Sequence, residues 1–385
     1  MAAALVSNRA MSEVLHDPNM LTKVTSYLPI RDCALVFRVA TIWNYLHFPT
    51  HIAIEDSVID IDDMGRRFTD TQVARYAASN RFRRVCSLKL WDIKITNAAF
   101  KHFGNAPIRT LSLNLPNITA AVVEHLVPMP LTSLELHGYW VNNAVLQSLS
   151  NNPIHTLRLN GTSITDEGLP HLAKMPLRSF SLNKAGIRGA GFVSLAGMQL
   201  DALDLTETFV DTKDLTETIA RMNNSHFEMR IRKLTLDVRG STELLTHIQK
   251  MSLEYLSLRG CRLLYDSEME PIRGFRLQYL DLSDNYIGDA GLQHLDGMPL
   301  RHLNLAGNAV TSAGLKILNG MPLENLSLEN TGADNRILLV IKNLPLRNLN
   351  VDGTRVTDPG RDFLRIFFPK LLRVNFYDYA NRCGV

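Results

Sequence analysis

Most of the chain repeats one arrangement of apolar positions: an apolar residue, two variable positions, a second apolar residue, one variable position and a third apolar residue. The arrangement opens at Val85, Ile108, Leu131, Ile154, Leu177, Leu200, Ile231, Leu253, Leu277, Leu300, Leu323, Leu346 and Leu371. Successive openings lie 23, 23, 23, 23, 23, 31, 22, 24, 23, 23, 23 and 25 residues apart. In the copy at 277–299, alternation predicts a short strand with Leu280 and Leu282 on one face and Tyr279, Asp281 and Ser283 on the other. Asn285, replaced by Thr162, Thr208, Thr331 or Thr354 in other copies, falls at the turn, where its side chain can satisfy backbone groups left open by the strand end. Ile287 returns to the core. Asp289, like Asp166 in its copy, suits the cap of a short helix. Leu292 and Leu295 bury one face of that helix, and Met298-Pro299 ends it.

A period in the twenties with the pattern L-x-x-L-x-L resembles that of leucine-rich repeat proteins. The resemblance implies an α/β solenoid with a parallel sheet on its concave face and helices on its convex face. Each unit is stabilised by stacking on its neighbours. Thirteen strands at roughly 4.8 Å spacing would run for about 58 Å, a length suited to a protein partner rather than a small-molecule pocket. One copy, opening at Leu200, is eight residues longer than the period, and the extra residues are expected as a loop over 222–229.

Residues before about 50 follow a different spacing, that of amphipathic helices: Leu21, Val24 and Leu28, then Leu35, Val36, Val39, Trp43 and Leu46. With Ser26, Tyr27 and Asp32, this segment resembles an F-box. Its front departs from the family: the proline, Pro18, stands one residue later than the family spacing puts it, Asn19 or Met20 falls where the acidic residue is usual, and Ala40 replaces a cysteine. The resemblance implies a small all-α domain docking on a Skp-type adaptor, and through it a cullin, by way of Pro18, Leu21, Val24, Leu28, Pro29, Leu35, Val39 and Trp43. The alternative is a helical cap on a plain interaction scaffold. The organisation expected is a leader over 1–15, the F-box-like domain over 16–48, a divergent first repeat over 49–84 with a strand at His51 to Ile54, repeats over 85–370, and a capping strand and tail over 371–385. The segment Asp289-Ala290-Gly291-Leu292-Gln293-His294-Leu295 resembles the repeats of bacterial GALA-type F-box effectors, with leucines in place of alanines. That resemblance implies action inside a host cell.

Composition narrows the chemistry. Forty-one basic and 38 acidic residues leave a net charge of +3 with the signs interspersed, which does not suit nucleic-acid binding. Cys33, Cys86, Cys261 and Cys383 have neither metal nor disulfide spacing, so a reducing compartment, cytoplasm or nucleus, is expected. No apolar run is long enough to span a membrane, and the apolar start at 1–6 is too short for a signal peptide. The glycine-rich segment 186–191 falls at the turn before a helix, a repeat position rather than a phosphate cradle. No histidine pair, metal cluster or nucleophile motif stands out, so neither cofactor nor catalysis is expected. Along the exposed strand positions most residues are small and polar. Against them Tyr255, Tyr279 and His302 form a ring ladder, flanked by Arg259 and Asp281, that is expected to contact a protein substrate. Trp91, Tyr139 and Trp140 are weaker candidates of the same kind.

Overall fold

The computed structural model describes residues 58–61, 69–78, 82, 85–208, 210–224, 231–237, 242–261, 264–367 and 373–375. The chain divides between Ser57 and Val58, and all described residues lie in the C-terminal unit. The F-box-like residues from Pro18 to Trp43, and the strand expected at His51 to Ile54, lie outside the described residues.

Among the described residues, fourteen strands form one sheet in strict chain order, every pair parallel. They are β1 (Val58–Ile61), β2 (Ser87–Trp91), β3 (Thr110–Asn114), β4 (Ser133–His137), β5 (Thr156–Asn160), β6 (Ser179–Asn183), β7 (Ala202–Leu205), β8 (Lys233–Leu236), β9 (Tyr255–Ser257), β10 (Tyr279–Asp281), β11 (His302–Asn304), β12 (Asn325–Ser327), β13 (Asn348–Asn350) and β14 (Arg373–Asn375). The strand added to the thirteen expected is β1, paired to β2. Parallel neighbours need a crossover, which the repeats supply as helix, α or 3₁₀, most often of one or two turns and at most 13 residues long.

The repeat brings equivalent side chains into rows. Leu256, Leu280 and Leu303 are register partners on β9, β10 and β11, and all are buried. Leu282, Ile287, Leu292 and Leu295 of the same repeat are fully buried as well. At about 1.5–3 kcal/mol for each buried Leu or Ile, these rows are the main source of stability. Asn285 and Asn308 turn their amides inward. Asn285 Nδ2 donates to the carbonyls of Leu258, Leu282 and Ser283, and Asn308 Nδ2 to those of Leu282, Leu305 and Ala306. Thr208, Thr331 and Thr354 do less, each donating to the carbonyl three residues back. Just past most of the strands the backbone adopts positive φ, at Gly307 (φ 70) and Gly353 (φ 65) but also at Asp284 (φ 57), Asn330 (φ 53), Lys184 (φ 50) and Glu207 (φ 54), so the turn tolerates polar residues as well as glycine.

Two local expectations are corrected. Asp289 and Asp166 are not helix caps: Gly288 and Thr165 hold the cap positions. Each carboxylate reaches into the following repeat instead, Asp289 accepting from Thr311 N (2.7 Å) and Oγ1 (2.6 Å), and Asp166 from Arg188 N (2.9 Å). The same link recurs from Asp70 to Thr96, Asn97 to Thr119, Asn143 to Thr165, Asp266 to Gly288, Ser312 to Asp334 and Asn335 to Thr357, in every case to the later residue's backbone N–H. A column of short polar side chains thus stitches most of the repeats to the next. The long repeat also differs: residues 222–224 complete the helix Thr212–Asn224, 13 residues long, rather than beginning a loop. Residues 225–230 are not described. This is the architecture of a leucine-rich repeat solenoid.

Candidate functional site: the open face of the sheet

Strand side chains that point away from the core form the open face. The ring ladder is present there. Tyr255 and Tyr279 stack at 4.0 Å between centroids with 14° between planes, and His302 lies tilted, 5.7 Å beyond. The parallel register sets this row, placing Tyr279 opposite Tyr255 and His302 opposite Tyr279. The row continues in amides: Asn325 Nδ2 lies 2.8 Å from His302 Nδ1, and Asn348 Nδ2 donates to Asn325 Oδ1. Because the tyrosines cover each other's faces, they present edges and hydroxyls to a partner. Burial pushes the Tyr255 phenol well above the ordinary tyrosine range, helped by its hydrogen bond with Tyr279 and by the negative charges of Asp281 and Asp204.

The expected flanking residues have other roles. Asp281 is only 8% exposed, and its Oδ1 accepts from the backbone N–H (2.9 Å) and hydroxyl (2.7 Å) of Ser283. Asp204, Asn304 and Asn350 make the same backbone bond two residues on, so this position closes the strand end. Arg259 is exposed and forms an ion pair with Asp284 (3.1 Å) on the next turn. The structure therefore brings together Tyr255, Tyr279 and His302, and commits Asp281 and Arg259 to turns.

A second cluster lies at the N-terminal end of the same face. Trp91 Nε1 donates to Ser112 Oγ (2.8 Å), Ser112 Oγ donates to Glu135 Oε2 (3.0 Å), and His137 Nε2 lies 3.0 Å from Glu135 Oε1. The Trp91 ring meets His137 edge-on at 5.0 Å, and the Lys89 ammonium sits 4.4 Å above the indole. His137 holds the Glu135 carboxyl below the ordinary range, with Ser112 adding to the effect and burial opposing it. Trp140, which follows in the loop, is pinned by its Nε1 to His137 O (2.9 Å), while Tyr139 beside it is 80% exposed. Sequence reading had singled out Trp91 but not Ser112, Glu135 and His137. The signal lay in their positions: Ser112 faces Glu135 across neighbouring strands, and His137 stands two residues along on the same face.

Serine, glutamate and histidine are in contact here, but not in the order of a serine–histidine–carboxylate relay: the histidine bonds to the carboxylate and not to the serine, which donates to Glu135 and accepts from Trp91. The glycine-rich segment is also occupied from within: Arg188 N, Gly189 N and Gly191 N all donate to the Asp166 carboxylate. Among the described residues no three His, Cys, Asp or Glu side chains are grouped to hold a metal ion, and no helix is long and apolar enough to cross a membrane.

Comparisons with known proteins agree with this fold. The Leucine Rich repeat family model matches residues 277–295 and 298–318. A chain of the yeast Rad7 and Elc1 complex is similar at 18% identity and a TM-score of 0.55, covering 83% of this chain and 86% of that one. An internalin from Listeria monocytogenes is similar at 20% identity and a TM-score of 0.43, over 75% of this chain and 85% of that one. A Leptospira interrogans LRR protein follows at 19% and 0.40, over 78% and 74%. No curated protein sequence matches. The fold is therefore that of a leucine-rich repeat solenoid.

Proposed function

We propose that this chain is the substrate-recognition subunit of an SCF-type ubiquitin ligase. It would perform no chemistry itself and would hold a protein substrate on the open face, with the cytoplasm or nucleus as its place of action. The observation that carries the reading is the F-box-like pattern from Leu21 to Leu46 placed directly ahead of a solenoid whose open face is pre-arranged for contact. The yeast neighbour, a chain of the same fold solved within a two-protein complex, supports protein binding in general. The likeness of the repeats to GALA-type effectors supports action inside a host cell.

The test is co-purification of a Skp-type adaptor with the full-length chain. Adaptor retained by the wild type and released by substitutions at Asn19 and Pro29, with unchanged thermal melting, supports the ligase reading. An adaptor that never binds overturns it and leaves an interaction scaffold.

A further inference from the structure

The row that carries the ring ladder runs Tyr255, Tyr279, His302, Asn325 and Asn348 over β9 to β13, and all five side chains are half-buried. Hydrogen bonds inside the row use up acceptors and leave donors. Asn348 Nδ2 donates to Asn325 Oδ1, so the amide of Asn325 is held with its nitrogen toward β11. That nitrogen can only donate, so His302 Nδ1, 2.8 Å away, accepts and the ring proton lies on Nε2. The two tyrosines share one hydrogen bond between their hydroxyls, which leaves one O–H of the pair unused. Asn304, beside His302 on β11, follows the same rule: its Oδ1 takes the Ala306 N–H and its Nδ2 is left over. Neither His302 Nε2 nor Asn304 Nδ2 meets an acceptor among the described residues. An occupant of this row is therefore asked for acceptors.

The surroundings disfavour an anion in that role. On the outward columns of β8 to β13 and the turn beside Arg259, the cations are Lys233 and Arg259, against Asp237, Asp281, Asp284, Glu329 and Asp352. Arg259 is already paired with Asp284, and Lys233 stands at the margin, one strand before Tyr255. The arginines at the strand starts, Arg232, Arg301 and Arg347, are paired with Glu254 and Glu324. The fitting occupant brings acceptors without negative charge.

We propose that the row from Tyr255 to Asn348 seats a proline-rich segment of the protein substrate in the polyproline II conformation. Proline supplies a carbonyl and no N–H, which matches a row of donors. Polyproline II rises about 3.1 Å per residue with three residues per turn, so carbonyls on one side recur about every 9.3 Å. Two strand steps measure about 9.6 Å. A segment lying across the strands therefore sets one carbonyl at the Tyr279 end of the tyrosine pair and another, three residues on, at Asn325. Prolyl rings between them rest on the tyrosine edges. Such a segment is stiff before it binds, so little ordering is lost. This inference rests on the reading of the open face as the surface that holds the substrate.

The test measures the fluorescence anisotropy of three fluorescein-labelled peptides with the full-length chain: decaproline, and decapeptides of glycine alternating with serine or with glutamate. Decaproline is expected to bind tightest, with a Kd that changes little with salt because no charge pairs form. Tyr255→Phe with Tyr279→Phe keeps the ring stack and removes both hydroxyls. Asn304→Asp removes the amide donor and keeps the bond to Ala306 N, as Asp204 and Asp281 serve Thr206 N and Ser283 N. Each variant should weaken decaproline binding about fivefold with unchanged thermal melting. Lys316→Ala, exposed on the helix side, should leave it unchanged. Decaproline bound no tighter than either other peptide, or a Kd unmoved by both row variants, overturns the proposal. If that happens while the adaptor still co-purifies, the ligase reading stands and only the proline-rich assignment falls.

Discussion

At the scale of single residues, hydrogen-bonding partners decide what a side chain can do. Glu135 illustrates this. Its folded-state acidity is strengthened by His137, so its contribution to stability is complete above the ordinary carboxylate range and is lost as pH falls through its lowered native value. Glu135→Gln removes that contribution. Acid-unfolding curves of the two proteins should therefore converge at low pH and separate as pH rises toward neutrality, the wild type being the more stable. Curves parallel throughout would show that the network is electrostatically idle. Sequence alone made Ser112, Glu135 and His137 unremarkable, because each is an ordinary polar residue at an exposed strand position. Their chemistry arises only when the register sets Ser112 against Glu135. Asp281 was misjudged for the opposite reason: its position suggested an outward charge, but its carboxylate turns back along its own strand to Ser283.

At the scale of elements, each repeat is an incomplete structure finished by the next. The polar column from Asp70 to Asn335 shows how the finishing is done, since every acceptor serves a backbone N–H roughly one repeat ahead. Replacing Asp289 with alanine leaves Thr311 N unserved at the start of the following turn and should cost about 1–2 kcal/mol, read as a lowered Tm or denaturant midpoint. The loss belongs to the seam between two repeats, so Thr311→Val in the Asp289→Ala background should add little. Strands and helices were legible from the apolar spacing because core burial imposes that spacing directly. The seam was not legible. An aspartate at a helix start has two competing acceptor roles, capping its own helix or serving the neighbour, and only stacking distance selects between them. The lengthened repeat gave a similar difficulty, since extra residues can prolong a helix as readily as open a loop.

For the whole molecule, stability and function separate onto different faces. The buried rows, leucine at most positions with Phe180 on β6, run through the described strands β2 to β13, and the open face carries what varies. End repeats have one neighbour and inner repeats two, so amide exchange should be slowest in the regular inner strands β10 to β12 and faster toward β14. Uniform protection along the array would mean that the solenoid opens only as one unit. The ring ladder was foreseeable because three aromatic residues fell at one repeat position among small polar ones. The Trp91 cluster was not, since its members occupy three strands and two columns.

The parallel sheet has one further consequence. With every strand in chain order, the cluster ending on β4 and the ladder beginning on β9 are five strand steps apart, roughly 24 Å. Adding or deleting one complete repeat between them would move the two contacts by about 4.8 Å while leaving both intact. Their separation is therefore quantised: such a protein could be refitted to a longer or shorter partner by counting units, without redesigning either end.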